Sequence, residues 1–317
     1  MKRPPDFWER DGILRRALTP LGFVTRVVTA TRLALPGFDP GIPVVCVGNA
    51  SVGGTGKTII TRDILSRYLR RGSKPFALTR GHGGTLAGPI LVDPGHHSAR
   101  EVGDEALLLA RTAPTIMARD RAAGARLASS AGASVIVMDD GLQNADLRKT
   151  ISFLAIDGGV GFGNALLLPA GPLREPVVTA ASRCGAAVLI GKDEFNARQC
   201  LPRDTTVLTA RIVGTASQSL QGTRIVCFAG IGRPTKFFAT LKELGAEIIE
   251  RLGYPDHYRY SPRDIADLTT RAKGQHAVLV TTEKDSVKLP SEFLEMCVVV
   301  TAHLAWDCND ALNQLLP

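Results

Sequence analysis

Aromatic residues are scarce in this 317-residue chain: Phe, Tyr and Trp together make up 5%. The interior must therefore be built mainly from Val, Ile, Leu and Ala, which suits an α/β protein. Scarce aromatics, no lysine-rich tail and no interleaving of aromatic with basic side chains leave nucleic-acid binding without support. Cysteine is equally sparse. The six (Cys46, Cys184, Cys200, Cys227, Cys297 and Cys308) are scattered with no C-x-x-C pair, which excludes a zinc or disulfide framework and reads as reduced thiols in a cytosolic protein. No stretch of 18 apolar residues is free of charge, so no spanning helix is expected. Early acidic residues and the lack of a small-residue cleavage site argue against a signal peptide. No repeat of fixed period and no low-complexity segment interrupts the chain. What remains is a chain long enough for two domains, 44% hydrophobic, with a net charge of +8 that favours an anionic partner such as a nucleotide or an acidic lipid.

The strongest local signal is "VGNASVGGTGKTIITRDIL", residues 47–65. Val44-Val45-Cys46-Val47 is a short apolar run bounded by proline and glycine, a buried strand. Ser51, Val52, Gly53, Gly54, Thr55 and Gly56 follow as a pliable loop whose amides can cradle phosphates. Lys57 adds a cation, Thr58 a hydroxyl suited to magnesium, and Ile59 to Leu65 continue with helical spacing. The usual phosphate-loop pattern asks for glycine where Ser51 stands.

Further strands are expected at "KPFALT" (74–79), "ASVIVMDDG" (133–141), "ISFLAID" (151–157) and "GAAVLIG" (185–191), with helices near 104–112 and 119–131. After about residue 214 the pattern restarts with "RIVCFAGI", "TKFFATLKELGA", "HAVLVTTEKD" and "CVVVTAHLA". Strands separated by helical stretches imply parallel sheets. The fold class is therefore α/β: a phosphate-loop NTPase-like parallel sheet with helices on both faces, plus a second, smaller α/β domain. Asp139 and Asp140 close an apolar strand, where open α/β sheets bind ligands and phosphate-loop enzymes hold magnesium. The leading segment mixes Trp8, Leu14, Phe23, Val24 and Val27 with Arg10, Arg15, Arg16, Arg26 and Arg32. Taken alone, it fits a membrane-interface helix and a helix packed on the protein's own core equally well.

"IPVVCVGNASVGGTGKT", "TRGHGG", "VGDEALLLA", "DDGLQN", "GNALLLPAGPLREP", "FAGIGRPTKFF", "YPDHYRYS" and "TTEKDSVKL" follow one another in the order found in the tetraacyldisaccharide 4′-kinase (lipid A 4′-kinase) family, which the chain resembles from about residue 8 to about residue 315. That family also has Ser or Thr where Ser51 stands. The resemblance implies transfer of the ATP γ-phosphoryl group to the 4′-hydroxyl of a tetraacyldisaccharide 1-phosphate, with Mg²⁺, at the cytoplasmic face of the inner membrane of a Gram-negative bacterium. Residues 1–40 would form a peripheral or monotopic membrane-associating segment on an anionic surface. Residues 41–213 would be the kinase domain, and 214–317 a smaller domain closing over the active site. No nucleic acid and no obligate protein partner are implied.

Carried over position by position, the resemblance gives Asp104, His257 and Lys57 catalytic roles and assigns residues 51–58 to the nucleotide. Thr58, Asp139, Asp140 and Glu175 would surround the metal, and Arg80, Arg121, Gln143, Asn144 and Arg174 would serve substrate binding. Asn144 departs from the histidine usual in the family and cannot carry charge; His82 stands where tyrosine is common. Two rival readings are a switch ATPase of the partitioning or metal-insertion type and a non-catalytic nucleotide-binding membrane adaptor. The first carries an extra loop lysine where this chain has Val52.

Overall fold

The computed structural model describes residues 5–8 and 12–317, so Arg10 of the basic leading segment lies outside the described residues. Twelve strands follow in chain order: β1 (Val44–Gly48), β2 (Pro75–Thr79), β3 (Ile90–Leu91), β4 (Thr115–Met117), β5 (Val135–Asp139), β6 (Ile151–Asp157), β7 (Ala186–Ile190), β8 (Val207–Ala216), β9 (Arg224–Ala229), β10 (Glu247–Gly253), β11 (Val278–Thr282) and β12 (Cys297–Trp306). They form one sheet in the order β10-β9-β11-β12-β8-β7-β6-β1-β5-β2-β4-β3. Pairing is parallel except for β8 with β12 and β3 with β4. β1, β2, β5 and β7 are buried along their whole length, as continuous aliphatic runs in a doubly covered parallel sheet should be.

The helix Lys57–Arg70 buries Ile60, Ile64, Leu65 and Tyr68, one stripe at helical spacing. That stripe packs on Val45, Val47, Phe153 and Val188 on one face of the sheet. Leu142, Leu154, Ile156 and Leu189 belong to the cluster on the opposite face, beside a second one built on Ile116, Ile136 and Met138. Beyond β8, the helix Pro234–Glu243 inserts Phe237 and Leu241 into one layer, while Pro262–Gly274 inserts Leu268 and Ala272 into another.

β6 runs over the same residues as the sequence implies. β8 and β10 are not foreseen. β8 alternates between half-exposed and buried positions only over its first four residues and runs on through Arg211 and Gly214 with none buried, and β10 carries Glu247, Glu250 and Arg251, so neither shows a clean apolar run. The boundary expected between residues 213 and 214 falls inside β8, so the sheet is continuous across it. The helix Asn309–Leu315 returns to the first half, where Leu312 and Leu316 join the cluster under Lys57–Arg70.

Helix Ile13–Leu18 precedes helix Leu21–Leu33, and the latter lies against the segment 167–174 through small and hydroxyl residues. Gly22 faces Leu167, Thr25 Oγ1 donates to the Leu168 carbonyl at 2.6 Å, and Thr29 Oγ1 donates to that of Arg174 at 3.3 Å. Phe23, Val24, Val27 and Val28 face outward, Phe23 at 68% exposure. Among the described residues no helix is long and apolar enough to cross a membrane.

Because Leu312 is fully buried in the first half's core, Leu312→Ala should lower unfolding free energy by about 2–5 kcal/mol, read from the denaturation midpoint. An unchanged midpoint would mean that the helix Asn309–Leu315 contributes nothing to that core.

Candidate active site

The loop after β1 is latched to a second loop. The Val52 amide donates to the Pro172 carbonyl at 2.8 Å, and the Arg174 amide to that of Ala50 at 2.7 Å. Gly56 has φ of 82°, and a Cβ there would stand 2.6 Å from Ile190 Cδ1, so only glycine fits where the loop meets its helix. Lys57 Nζ lies 3.5 Å from the Gly53 carbonyl and 3.6 Å from Asp140 Oδ1. Asn49 Oδ1 and Thr55 Oγ1 are buried with no hydrogen-bond partner among the described residues. Unsatisfied polar atoms beside a glycine loop are the signature of a place for a polar ligand.

Asp139 ends β5 and accepts from Thr58 Oγ1 and from Thr61 Oγ1, each at 3.1 Å. Burial, with the nearby charges of Glu105 and Asp140, pushes its pKa up to about 7. Asp140 adopts φ of 51° and turns instead to Lys57 and to Arg174, whose Nη1 is 3.4 Å away. Burial opposes its ionisation, but Lys57, Arg174 and Arg121 outweigh burial and hold it below the usual carboxylate range. The Thr58 hydroxyl and the Asp139 carboxylate are hard oxygen donors of the kind magnesium takes. No three His, Cys, Asp or Glu side chains gather to hold a metal among the described residues.

Arg174 Nη1 also reaches Gln143 Oε1 at 3.3 Å, and Gln143 Nε2 donates to the Asn49 carbonyl at 2.7 Å and to Glu175 Oε1 at 2.9 Å. Glu175 is buried, and Arg183 grips both of its oxygens at 2.7 and 2.9 Å. Asn144 donates to Asp146 at 2.8 Å, accepts at its backbone carbonyl from Lys149, and leaves Oδ1 buried with no partner among the described residues. Arg121 is buried and donates to the Ala118 carbonyl. Its pKa falls to about 10 through burial, partly offset by Asp139 and Asp140. Arg80, just past β2, is exposed.

The second cluster joins the two halves of the sequence. Asp104 opens the helix Asp104–Ala110, and His257, with φ of 60°, sits in the loop after β10. His257 Nδ1 is 2.9 Å from both Asp104 oxygens. Burial raises the Asp104 pKa, but the bond from His257 and the charge of Lys284 more than reverse this and bring it to about 2. The phosphate loop is close by. A Cβ on Gly232 would stand 3.6 Å from Asp256 Oδ2 and 4.0 Å from the Gly54 amide nitrogen.

Most of the predicted residues thus fall into two neighbouring groups; among the described residues Arg121 and Asn144 make their side-chain bonds outside both, and Arg80 makes none to either. Lys57, Thr58, Asp139, Asp140, Gln143, Arg174 and Glu175 form one connected network, and Asp104 with His257 the other. Thr61, Asn49, Arg183 and Lys284 were not singled out from sequence. Thr61, one helical turn beyond Thr58, carries the only positional signal of the four.

The model of the tetraacyldisaccharide-1-P 4′-kinase family matches residues 14–317. A tetraacyldisaccharide 4′-kinase of Methylorubrum extorquens is 49% identical, covering 99% of this chain and 98% of its own. That of Gluconobacter oxydans is 48% identical over 99% and 97%. Among solved structures, LpxK from Aquifex aeolicus in complex with ATP superposes with a TM-score of 0.77 at 25% identity, covering 96% of this chain and 98% of that one.

An acid held near pKa 2 in the fold, against 3.8 ordinarily, stabilises the native state above pH 4, and the contribution disappears as pH falls toward 2. The stability gap between wild type and Asp104→Asn, measured by urea unfolding, should be roughly 2 kcal/mol at neutral pH and should shrink across that window. A gap independent of pH would mean that Asp104 is not held ionised by its neighbours.

Proposed function

Because the chain belongs to the tetraacyldisaccharide-1-P 4′-kinase family, we propose that its two polar clusters divide one phosphoryl transfer between them. The enzyme is an ATP-dependent lipid kinase that phosphorylates the 4′-hydroxyl of a tetraacyldisaccharide 1-phosphate in lipid A biosynthesis. The switch-ATPase and adaptor readings are not favoured by any of these relatives.

The observation that carries the division of labour is the Asp104–His257 contact beside the phosphate loop. In our reading Lys57 and the amides of residues 51–58 hold the β- and γ-phosphates. The acceptor hydroxyl gives its proton to Asp104 as its oxygen bonds to the γ-phosphorus, and the bond from that phosphorus to ADP breaks. A carboxylate of low pKa is a weak base. That suits a loose transition state, in which the hydroxyl proton becomes acidic only as the new bond forms. His257 holds both Asp104 oxygens and so fixes their direction. Thr58, Asp139 and Asp140 are the proposed magnesium neighbours, and the ion, when bound, neutralises charge on the phosphates. Glu175 is the fourth residue assigned to the surroundings of the metal, and its oxygens are held by Arg183 and Gln143. Arg80, Arg121, Gln143, Asn144 and Arg174 are assigned to the acceptor and the phosphates. Residues 214–317 bring His257 to Asp104 and close over the site.

We also assign the exposed face of Leu21–Leu33 to an anionic membrane, at the cytoplasmic side of the inner membrane. Its support is a row of outward apolar side chains flanked by the exposed Arg26 and Arg32.

With labelled ATP and a tetraacyldisaccharide 1-phosphate, the wild type should form the 1,4′-bisphosphate. Asp104→Ala and His257→Ala should each slow single-turnover transfer by roughly 10²–10⁴-fold with little change in ATP affinity. The double variant should be little slower than the poorer single one, because paired groups act as a unit. Multiplicative losses would separate the two residues. The combined Phe23→Ser and Val27→Ser variant should bind phosphatidylglycerol vesicles more weakly in sedimentation, and salt should weaken wild-type binding further. Equal binding by variant and wild type would place the membrane contact elsewhere.

A further inference from the structure

Lys284 stands among three carboxylates at the junction of the two halves. Its Nζ is 3.2 Å from Asp256 Oδ1, 3.6 Å from Glu105 Oε1 and 4.0 Å from Asp104 Oδ2. The first of these acids flanks His257 on its other side, with Nε2 3.6 Å from Asp256 Oδ2. Asp104, His257, Asp256 and Lys284 therefore close a ring in which each basic side chain sits between two acids. Asp104 and Asp256 are nearly buried, at 4% and 9% exposure, while Lys284 is at 22%. The ring is drawn from three segments: the start of the helix Asp104–Ala110, the loop after β10, and the short helix Glu283–Ser286 that follows β11.

We propose that Lys284 is a positioning residue for phosphoryl transfer, one that keeps Asp104 ionised and aligned with His257 by closing this ring. The inference rests on the reading of Asp104 as the group that accepts the hydroxyl proton. Without the ammonium, Asp104, Glu105 and Asp256 would face one another in a poorly solvated space, and like charges so placed cannot all remain ionised at little cost. A protonated Asp104 cannot take the acceptor's proton. The remaining groups around Asp104 do not replace Lys284. Lys288 is bound to Asp285 at 2.7 Å, and His82 meets the His257 ring at 5.2 Å between centroids. Glu101, at the end of the preceding turn, is bonded to Ser98. Lys284 itself is held charged: burial disfavours its ammonium, but Glu105, Asp104 and Asp256 overcome this and raise its pKa.

The test is single-turnover transfer between pH 4 and 8 for wild type, Lys284→Met, Lys284→Arg and Asp104→Asn, with ATP affinity and thermal midpoint measured alongside. Removing a positive charge destabilises the carboxylate, so the acid limb should move up by about two units or more in Lys284→Met, into the measured window. The chemical step at pH 8 should fall about tenfold or more, with ATP affinity within about threefold of wild type. Lys284→Arg, which keeps the charge, should lie closer to wild type in both respects. If the Met variant does not fold, Lys284→Gln keeps an N–H donor for Asp256 without the charge and is read in the same way. An acid limb that stays put in the uncharged variants, or Arg and Met variants that behave alike, overturns the assignment of Lys284. Transfer at the wild-type rate by Asp104→Asn would instead overturn the underlying reading of Asp104.

Discussion

β8 is hydrogen-bonded to both halves of the molecule at once, and the geometry of the site depends on it. Its first residues pair in parallel with β7, Ala187 opposite Val207 through Ile190 opposite Ala210. Its remainder pairs antiparallel with β12, from Ala210 opposite Trp306 to Ala216 opposite Val300. One strand thereby fixes where β9, β11 and their loops stand relative to β1 and the phosphate loop. His257 can meet Asp104 across 153 residues of sequence because this backbone ladder has already fixed where their loops stand. The ion pair of Arg62 with Glu283, at 2.6 Å, works in the same direction by tying the phosphate-loop helix to the segment after β11.

Much of the first half is legible in the sequence because its signals are local. Val44 to Thr58 contains strand, loop, cation and hydroxyl in contiguous order, and Asp139 ends an apolar run that can only be a buried strand. The roles of the two aspartates separate only in three dimensions. Asp139 faces Thr58 and Thr61, while the left-handed backbone at Asp140 turns the next side chain toward Lys57 and Arg174. Asp104 and His257 carry no such signal. An acid in the first turn of a helix and a histidine in a loop are ordinary features, and resemblance, not residue chemistry, paired them. Arg183 and Lys284 are less visible still, because each acts on partners brought in by tertiary packing.

Asn144 is held locally at both its side chain and its backbone. Its amide is turned to Asp146, and Lys149 holds its backbone carbonyl. Gln143, one residue earlier, keeps its links to Asn49, Glu175 and Arg174. The leading helix is a converse case. It docks through Gly22, Thr25 and Thr29, the residues an amphipathic reading would place in water, and its apolar stripe is left outside.

The return of Asn309–Leu315 to the first core has a bearing on the order in which this protein is made. Synthesis delivers Val45, Ile60, Ile64 and Phe153 long before Leu312 and Leu316, yet all of them share one cluster. While the later residues are still inside the ribosome, the helix Lys57–Arg70 has one apolar flank bare. Arg67, almost fully buried in the finished protein, lacks the Asn309 and Asn313 oxygens that receive its guanidinium. The nucleotide-binding half is thus sealed by the part of the chain that emerges after the other half has been built, and this flank of its core stays uncovered until then.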